Sequence, residues 1–226
     1  MATAAASDRF TGFPPEAVEF YRRLERDNSK AFWTANKDVY DRAVKAPLVA
    51  LTAEATAEFG PFHLFRPHRD VRFSTDKSPY KTHQGAVTEG EGGEAYYLHL
   101  GPDGLFVGTG YHAMARDQLA RFRDAVVDER TGSELARRVA ALELEGYAFG
   151  GEALKTAPRG YPRDHPLVRF LRFKGITAQR SFGAPAWLST RRALTRVTDA
   201  WRGARPLNEW LGTHVGPSEE PPDERR

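Results

Sequence analysis

Cysteine is absent from the 226-residue chain, and methionine occurs only twice. Without thiols there can be no disulfide, no thiolate metal ligand and no cysteine nucleophile. Long apolar runs are missing too: no stretch approaches the roughly 20 apolar residues that a membrane-spanning helix needs. The N-terminus, Met1-Ala-Thr-Ala-Ala-Ala-Ser-Asp-Arg9, has neither a charged start nor an apolar core, so no signal peptide is expected. Equally absent are a Gly-x-Gly-x-x-Gly turn, a Gly-Lys-Ser/Thr phosphate loop, a Gly-x-Ser-x-Gly elbow and a His-Glu-x-x-His helix. No motif therefore requires a cofactor or a metal. The expectation is a cytoplasmic protein with no membrane partner.

What is present points to an α+β fold. Pro14 and Pro15 open a helix carrying Ala17, Phe20, Tyr21 and Leu24 at helical spacing. Asp27-Asn28-Ser29 breaks it and caps a second helix bearing Phe32, Trp33, Tyr40 and Val44, which Pro47 is predicted to interrupt. A third runs from Leu48 to Phe59 and stops at Gly60. Between Phe62 and His83 the helical period disappears, and Val71 with Phe73 suggests a short inward-facing strand. Tyr96, Leu98 and Leu100 then alternate with Tyr97 and His99, Gly101-Pro-Asp-Gly104 turns, and Leu105, Val107, Thr109 and Tyr111 alternate back, which predicts a β-hairpin. Further helices are marked by Leu119, Phe122 and Val126, by Leu135, Val139 and Leu142, and by Leu194, Val197 and Trp201. One more strand is expected at Ile176–Phe182, and a short helix opened by Pro166 and capped by Asp164. Helices first, strands in the middle and helices after argue for an antiparallel sheet with a central hairpin, flanked by N-terminal and C-terminal helices. With no internal repeat and no linker, the reading is one α+β domain over residues 10–215, with disordered tails at 1–9 and 216–226.

The net charge is only +3, but it is unevenly placed. From Lys155 to Arg205 there are twelve Lys or Arg against Asp164 and Asp199, and residues 61–83 carry five basic groups against Asp70 and Asp76. Residues 84–106 hold Glu89, Glu91, Glu94 and Asp103 with no Lys or Arg. Such asymmetry creates basic surface for phosphate, nucleic acid or an acidic partner, although a run of charge is more often a solvated face.

The most function-like segment is Arg69-Asp-Val-Arg-Phe-Ser-Thr-Asp-Lys-Ser-Pro-Tyr-Lys-Thr-His83. It resembles the signature of the DUF2461 family of conserved uncharacterised bacterial proteins. Matching pieces are Phe10 with Phe13, Asp27-Asn28-Ser29-Lys-Ala-Phe-Trp33 with Asn36, Lys37 and Tyr40, and Tyr96-Tyr-Leu-His-Leu100. Gly108-Thr-Gly-Tyr111 and Lys155 through Arg159-Gly-Tyr161 also fit, so the likeness runs from about Phe10 to about Leu211. Two departures stand out: Asp27-Asn28-Ser29 where two asparagines are expected, and Phe32-Trp33 in inverted order. The resemblance implies no activity.

Read from its residues, the segment is suited to hold an anion. On a strand Asp70 and Arg72 share a face and can pair, whereas Arg69 falls on the apolar side and needs a carboxylate or a ligand oxygen. The loop after Asp76 offers the Lys77 and Lys81 ammonium groups, hydroxyls and backbone amides, a donor set that fits phosphate or carboxylate. Arg69, Arg72, Asp76, Lys77 and Lys81 are thus the candidate ligand-binding residues. Lys155, Arg159, Tyr161 and Lys174 would form a second wall, with Tyr111 a further candidate. His83, Tyr80 and Asp70 are the candidates for proton transfer. A small anionic molecule is the expected partner. Two readings compete: ion pairs that merely brace the loop, and a nucleic-acid or acidic-protein surface on the Arg-rich stretch 155–205. His63, His68, Asp70, His83, His99 and His112 show no metal-ligand spacing.

Overall fold

In the computed structural model, which describes residues 9–70, 72, 75–88, 90 and 93–220, helix α1 (Pro15–Arg26) starts with proline in its first turn, where no intrahelical hydrogen bond is lost. Its buried face carries Ala17, Phe20, Tyr21 and Leu24, as the spacing predicts. Ser29 caps α2 (Lys30–Val39), its hydroxyl accepting from the Phe32 amide at 3.1 Å. Pro47 does not end the helix. The chain continues through a π-helical segment, Tyr40–Lys45, into α3 (Ala46–Phe59). Proline lacks the amide that would close an α-turn, and the wider π-turn absorbs the mismatch, with the Ala46 amide reaching back to the Asp41 carbonyl. Gly60 at φ +86° ends α3.

One six-stranded antiparallel sheet follows, in the order β1-β2-β3-β4-β6-β5. Its strands are β1 (Phe62–Leu64), β2 (Gln84–Thr88), β3 (Ala95–Gly101), β4 (Gly104–Tyr111), β5 (Ala148–Gly150) and β6 (Ile176–Gly183). The predicted hairpin is β3–β4. Leu98 and Leu100 are buried while Tyr97 and His99 lie half-buried between them on the opposite face, which is the period-2 pattern of a strand. Gly104 is needed at the turn: its φ is +98°, and a Cβ there would run into the Gly183 carbonyl. β2 pairs with β3 in the register Gln84↔Leu100 to Val87↔Tyr97, and β1 with β2 from Phe62↔Thr88. The sequence predicts neither β1 nor β2, because at three and five residues they are too short for a clear alternation.

The chain divides into two compact units. The first comprises residues up to Thr88 with 97–107 and 181–199. Its helices α1, α2 and α3 bury Phe20, Tyr21, Trp33 and Tyr40 in edge-to-face and tilted pairs, Phe20 lying 5.1 Å from Tyr21 and Trp33 4.8 Å from Tyr40. The second comprises 89–96, 108–180 and residues from Ala200 onward. Its core gathers Phe122, Val126, Leu135, Val139, Phe170, Leu207 and Trp210 from α4 (Arg116–Val127), α5 (Glu129–Leu144), α6 (Val168–Leu171) and α8 (Arg205–His214). The Trp210 indole donates to the Thr131 carbonyl at 3.0 Å. Helix α7 spans Arg192–Gly203. Asp164 does not cap α6. That helix begins four residues later, behind Leu167, whose amide donates to the His165 ring at 3.1 Å. Ser218 and Glu219, placed by sequence in a tail, both bond to Asp117 at 2.8 Å.

Candidate functional site

The basic segment is a loop pinched shut at its base. Pro67–Arg69 runs antiparallel to Pro79–Lys81: the Arg69 amide donates to the Pro79 carbonyl at 2.9 Å and the Lys81 amide to the Pro67 carbonyl at 2.8 Å, around a His68–Tyr80 bridge. Asn28, in the two-residue gap between α1 and the α2 cap, grips the outer side of this pair. Its amide nitrogen donates to the Tyr80 carbonyl at 3.0 Å and its oxygen accepts from the Tyr80 amide at 3.1 Å, so one side chain replaces a neighbouring strand. Trp33, one turn into α2, stacks on the Tyr80 ring at 4.2 Å and 8°. Two sequence blocks that look unrelated, around Asn28–Trp33 and around Tyr80–Lys81, are therefore one structural device.

The tip of the loop is self-contained. Arg72 and Asp70 form a bidentate pair, with Nη2 to Oδ2 at 2.6 Å and Nε to Oδ1 at 3.0 Å, which holds the Asp70 carboxyl down at about 2. Asp76 accepts from the Ser78 hydroxyl at 2.6 Å and from its amide at 2.9 Å, and it pairs with Arg69. Those bonds, Ser78 first and then Arg69, lower the Asp76 carboxyl below its ordinary range. Asp70 thus pairs with Arg72 as expected, and Asp76 engages Arg69. Lys77 is exposed. The predicted inward strand residues Val71 and Phe73 lie outside the described residues.

At the base the charges are arranged differently. Lys81 has no carboxylate partner among the described residues, and neither has Arg66 nor Lys45. Lys81 is half-buried, and its Nζ lies 5.0 Å from the centre of the Phe65 ring. Desolvation, then the positive charges of Arg66 and Arg69, lower its ammonium below the ordinary lysine value. These cations rim an open groove of about 570 Å³. Its floor is Trp33, Tyr40, Leu64, Phe65 and Pro67, and Lys37 with its partner Asp41 completes the rim. The π-turn is what sets Tyr40, Asp41 and Lys45 at the groove, since it re-phases the helix between α2 and α3. The Tyr40 hydroxyl donates to Gln84 Oε1 at 2.7 Å, and Gln84 Nε2 donates to the Phe65 carbonyl at 2.5 Å. Burial, with a smaller push from Asp41, raises the Tyr40 phenol to about 12, so it stays a neutral donor.

Beyond Lys81 the sheet face carries a column of rings. His83 lies 4.8 Å from His99, which stacks on Phe106 at 4.8 Å and 13°, and His99 Nδ1 is 3.0 Å from the Tyr97 hydroxyl. Burial, then Lys81 and Arg69, lower the His83 imidazole, and burial, then His83, lowers His99 to about 4. Both rings are therefore neutral at pH 7.

The remaining candidates belong to the second unit. Tyr111 is fully buried, its hydroxyl has no hydrogen-bond partner among the described residues, and burial raises it to about 12. The Tyr161 hydroxyl bonds to Asp124 at 3.1 Å, Lys174 pairs with Glu152, and Lys155 and Arg159 are exposed beside Gly160 at φ +90°. Among the described residues no group of three or more His, Asp or Glu is placed to hold a metal ion. Sequence reasoning missed Arg66, Lys45, Gln84 and the groove role of Trp33 and Tyr40. Arg66 lay within the basic stretch, and Trp33 and Tyr40 within a motif block, but no sequence pattern announces a π-turn.

The family model for DUF2461, described as a conserved hypothetical protein, matches residues 16–210 of the chain. The chain belongs to that family, and the match spans both halves of the loop-and-clamp device as well as every residue of the groove. Neither the curated proteins nor the solved structures contain a match to it.

Proposed function

We propose that the protein binds a small phosphorylated or carboxylated molecule in the groove between the π-turn, strand β1 and the base of the 67–81 loop. The observation that carries this reading is the placement of Lys81 and Arg66, two cations that form no ion pair among the described residues, on one concave surface. Like charges gathered on one surface are an arrangement that a bound anion relieves. The apolar floor favours a ligand with a compact hydrophobic or ring portion behind its acidic group. Of the residues expected from sequence, Lys81 stays in the site. Arg69, Arg72, Asp70 and Asp76 serve the loop itself, and Tyr80 serves its base. Lys155, Arg159, Tyr161 and Lys174 are not part of this proposal.

The competing basic surface over 155–205 is the weaker reading, because several of its cations have internal partners: Lys174 with Glu152, Arg169 with Glu143, and Arg191 with Glu54. The test is thermal denaturation of the full chain in the presence of phosphate, pyrophosphate and citrate. At least one should raise the midpoint of the wild type, and Lys81→Met should abolish that rise while remaining folded by circular dichroism. Equal rises in both proteins, or none in either, would sink the proposal.

A further inference from the structure

Lys81 differs from an ordinary anion-binding lysine. Its backbone is fixed on both sides, by the Lys81 amide bond to Pro67 and by the Asn28 clamp on Tyr80, so the side chain is launched from a rigid point. Its Nζ lies 5.0 Å from the centre of the Phe65 ring, Arg66 and Lys45 line the same groove, and Arg66, Arg69 and His83 are within electrostatic reach of it. An amine that is partly desolvated, near other cations and without an ion-pair partner among the described residues is in a setting where lysine becomes a nucleophile rather than a counter-ion. The lowered proton affinity of Lys81 agrees with that geometry.

We propose that Lys81 captures carbonyl compounds: its neutral amine attacks the carbonyl carbon of a small aldehyde or ketone that also bears an acidic group, and an imine forms. The inference rests on the anion-binding reading, since Arg66 and Lys45 on the rim would hold the acidic group while Lys81 reaches the carbonyl. The nitrogen lone pair forms the new C–N bond and the carbonyl oxygen takes up the proton that the nitrogen gives up. The carbinolamine then loses its hydroxyl together with the remaining proton on nitrogen as water, to leave a C=N bond. Hydrolysis reverses the sequence, so no oxidant, reductant or metal is required. The ligand class is a 2-oxo acid, an aldehyde acid or a phosphorylated aldehyde.

The test uses the intact protein with glyoxylate and cyanoborohydride at neutral pH, which reduces any imine to a stable carboxymethyl amine that peptide mass analysis assigns to individual lysines. Lys81 should be labelled several-fold faster than the exposed Lys30 and Lys155, because its amine is held on a rigid backbone beside groups that would bind the acidic end of glyoxylate. Phosphate should slow the labelling of Lys81 alone, Arg66→Gln should reduce the preference, and acetaldehyde, which lacks the acidic group, should show less of it. Labelling of Lys81 no faster than of Lys30, while phosphate still stabilises the wild type, would overturn the nucleophile and leave the anion site standing. No preference for Lys81 together with no stabilisation by phosphate, pyrophosphate or citrate would overturn both.

Discussion

The tip and the base of the 67–81 loop both carry cations, but only the tip carries carboxylates to match them. At the tip each arginine has an aspartate, Arg72 with Asp70 and Arg69 with Asp76, and the pairs are solvated. At the base Lys81 and Arg66 have none among the described residues, and they stand over an apolar floor. A count of charges along the sequence gives 61–83 an excess of basic groups but does not say why that excess stays open at the base. What separates them is that the tip closes on itself over two to seven residues, whereas the base is held from outside by Asn28 and Trp33, more than forty residues away. Short-range pairs neutralise. Long-range clamps leave the charges they position available.

The sharpest way to break this contrast is to remove the clamp. Trp33 is 6% exposed, stacks on Tyr80 at the base and packs tilted against Tyr40, so Trp33→Ala should destabilise the fold by about 3–5 kcal/mol in urea denaturation, as for other buried aromatic truncations. Asn28→Ala strips both the Tyr80 amide and carbonyl of their partner and should cost about 1–3 kcal/mol. A loss below 0.5 kcal/mol for both, roughly the scatter of surface substitutions, would mean the base is not clamped as described.

Acid should separate the two ends next. His99 is ordinarily near 6.5 and is held at about 4, and His83 is lowered as well. Above pH 6.5 both the folded and the unfolded chain carry neutral His99, and its contribution to stability is complete. As pH falls the unfolded chain takes up a proton that the folded chain refuses until about pH 4, so up to about 3 kcal/mol is lost across that window. Asp70, at the tip, has its window lower, between 3.8 and about 2. Denaturation midpoints measured from pH 7 to pH 4 should therefore fall, and His99→Asn should flatten the fall. An unchanged slope in His99→Asn would refute the burial assigned to that ring.

Exchanging the cations one at a time makes a smaller, directional prediction. Arg66→Ala should weaken binding of whichever anion stabilises the wild type by about tenfold, equivalent to about 1.4 kcal/mol. Arg72→Ala should leave that affinity within about twofold, because its guanidinium is already committed to Asp70. The reverse pattern, measured by titration calorimetry, would move the site from the base to the tip.

The parts of the fold that sequence made legible are those where local chemistry decides. The β3–β4 hairpin follows from strict alternation and a Gly-Pro-Asp-Gly turn, and α1 follows from proline at its start and a regular apolar stripe. Lys81 was legible as a cation of the loop after Asp76, and the Asp70–Arg72 pair because residues two apart on an extended chain share a face. The rest needed the third dimension. Pro47 looks like a stop, and only the register of Ala46 on Asp41 shows that a π-turn carries the helix past it. Arg66 and Lys45 are 21 residues apart and have no common pattern; tertiary packing alone brings them to one groove. Asp164 was the opposite error: a good capping residue beside proline, left outside a helix that starts four residues later.

The smallest predicted effect is also the most diagnostic of the comparison. Arg72 has 77% of its side chain exposed and Asp70 45%, so water competes for both partners and salt screens what attraction is left. Their hydrogen bonds are short and bidentate, yet they order two flexible side chains on a surface loop, and that entropy offsets the gain. Asp70→Asn and Arg72→Ala should accordingly shift the urea midpoint no further than replicate scatter, and the double variant should show no coupling beyond it. Local order is a separate matter: amide exchange at residues 70 and 72 should quicken in both variants, because the Asp70 carboxylate also accepts from the Arg72 backbone amide at 3.2 Å. A global loss of stability in either variant would show that the tip bears on the core, and the division between a self-closing tip and an externally clamped base would have to be abandoned.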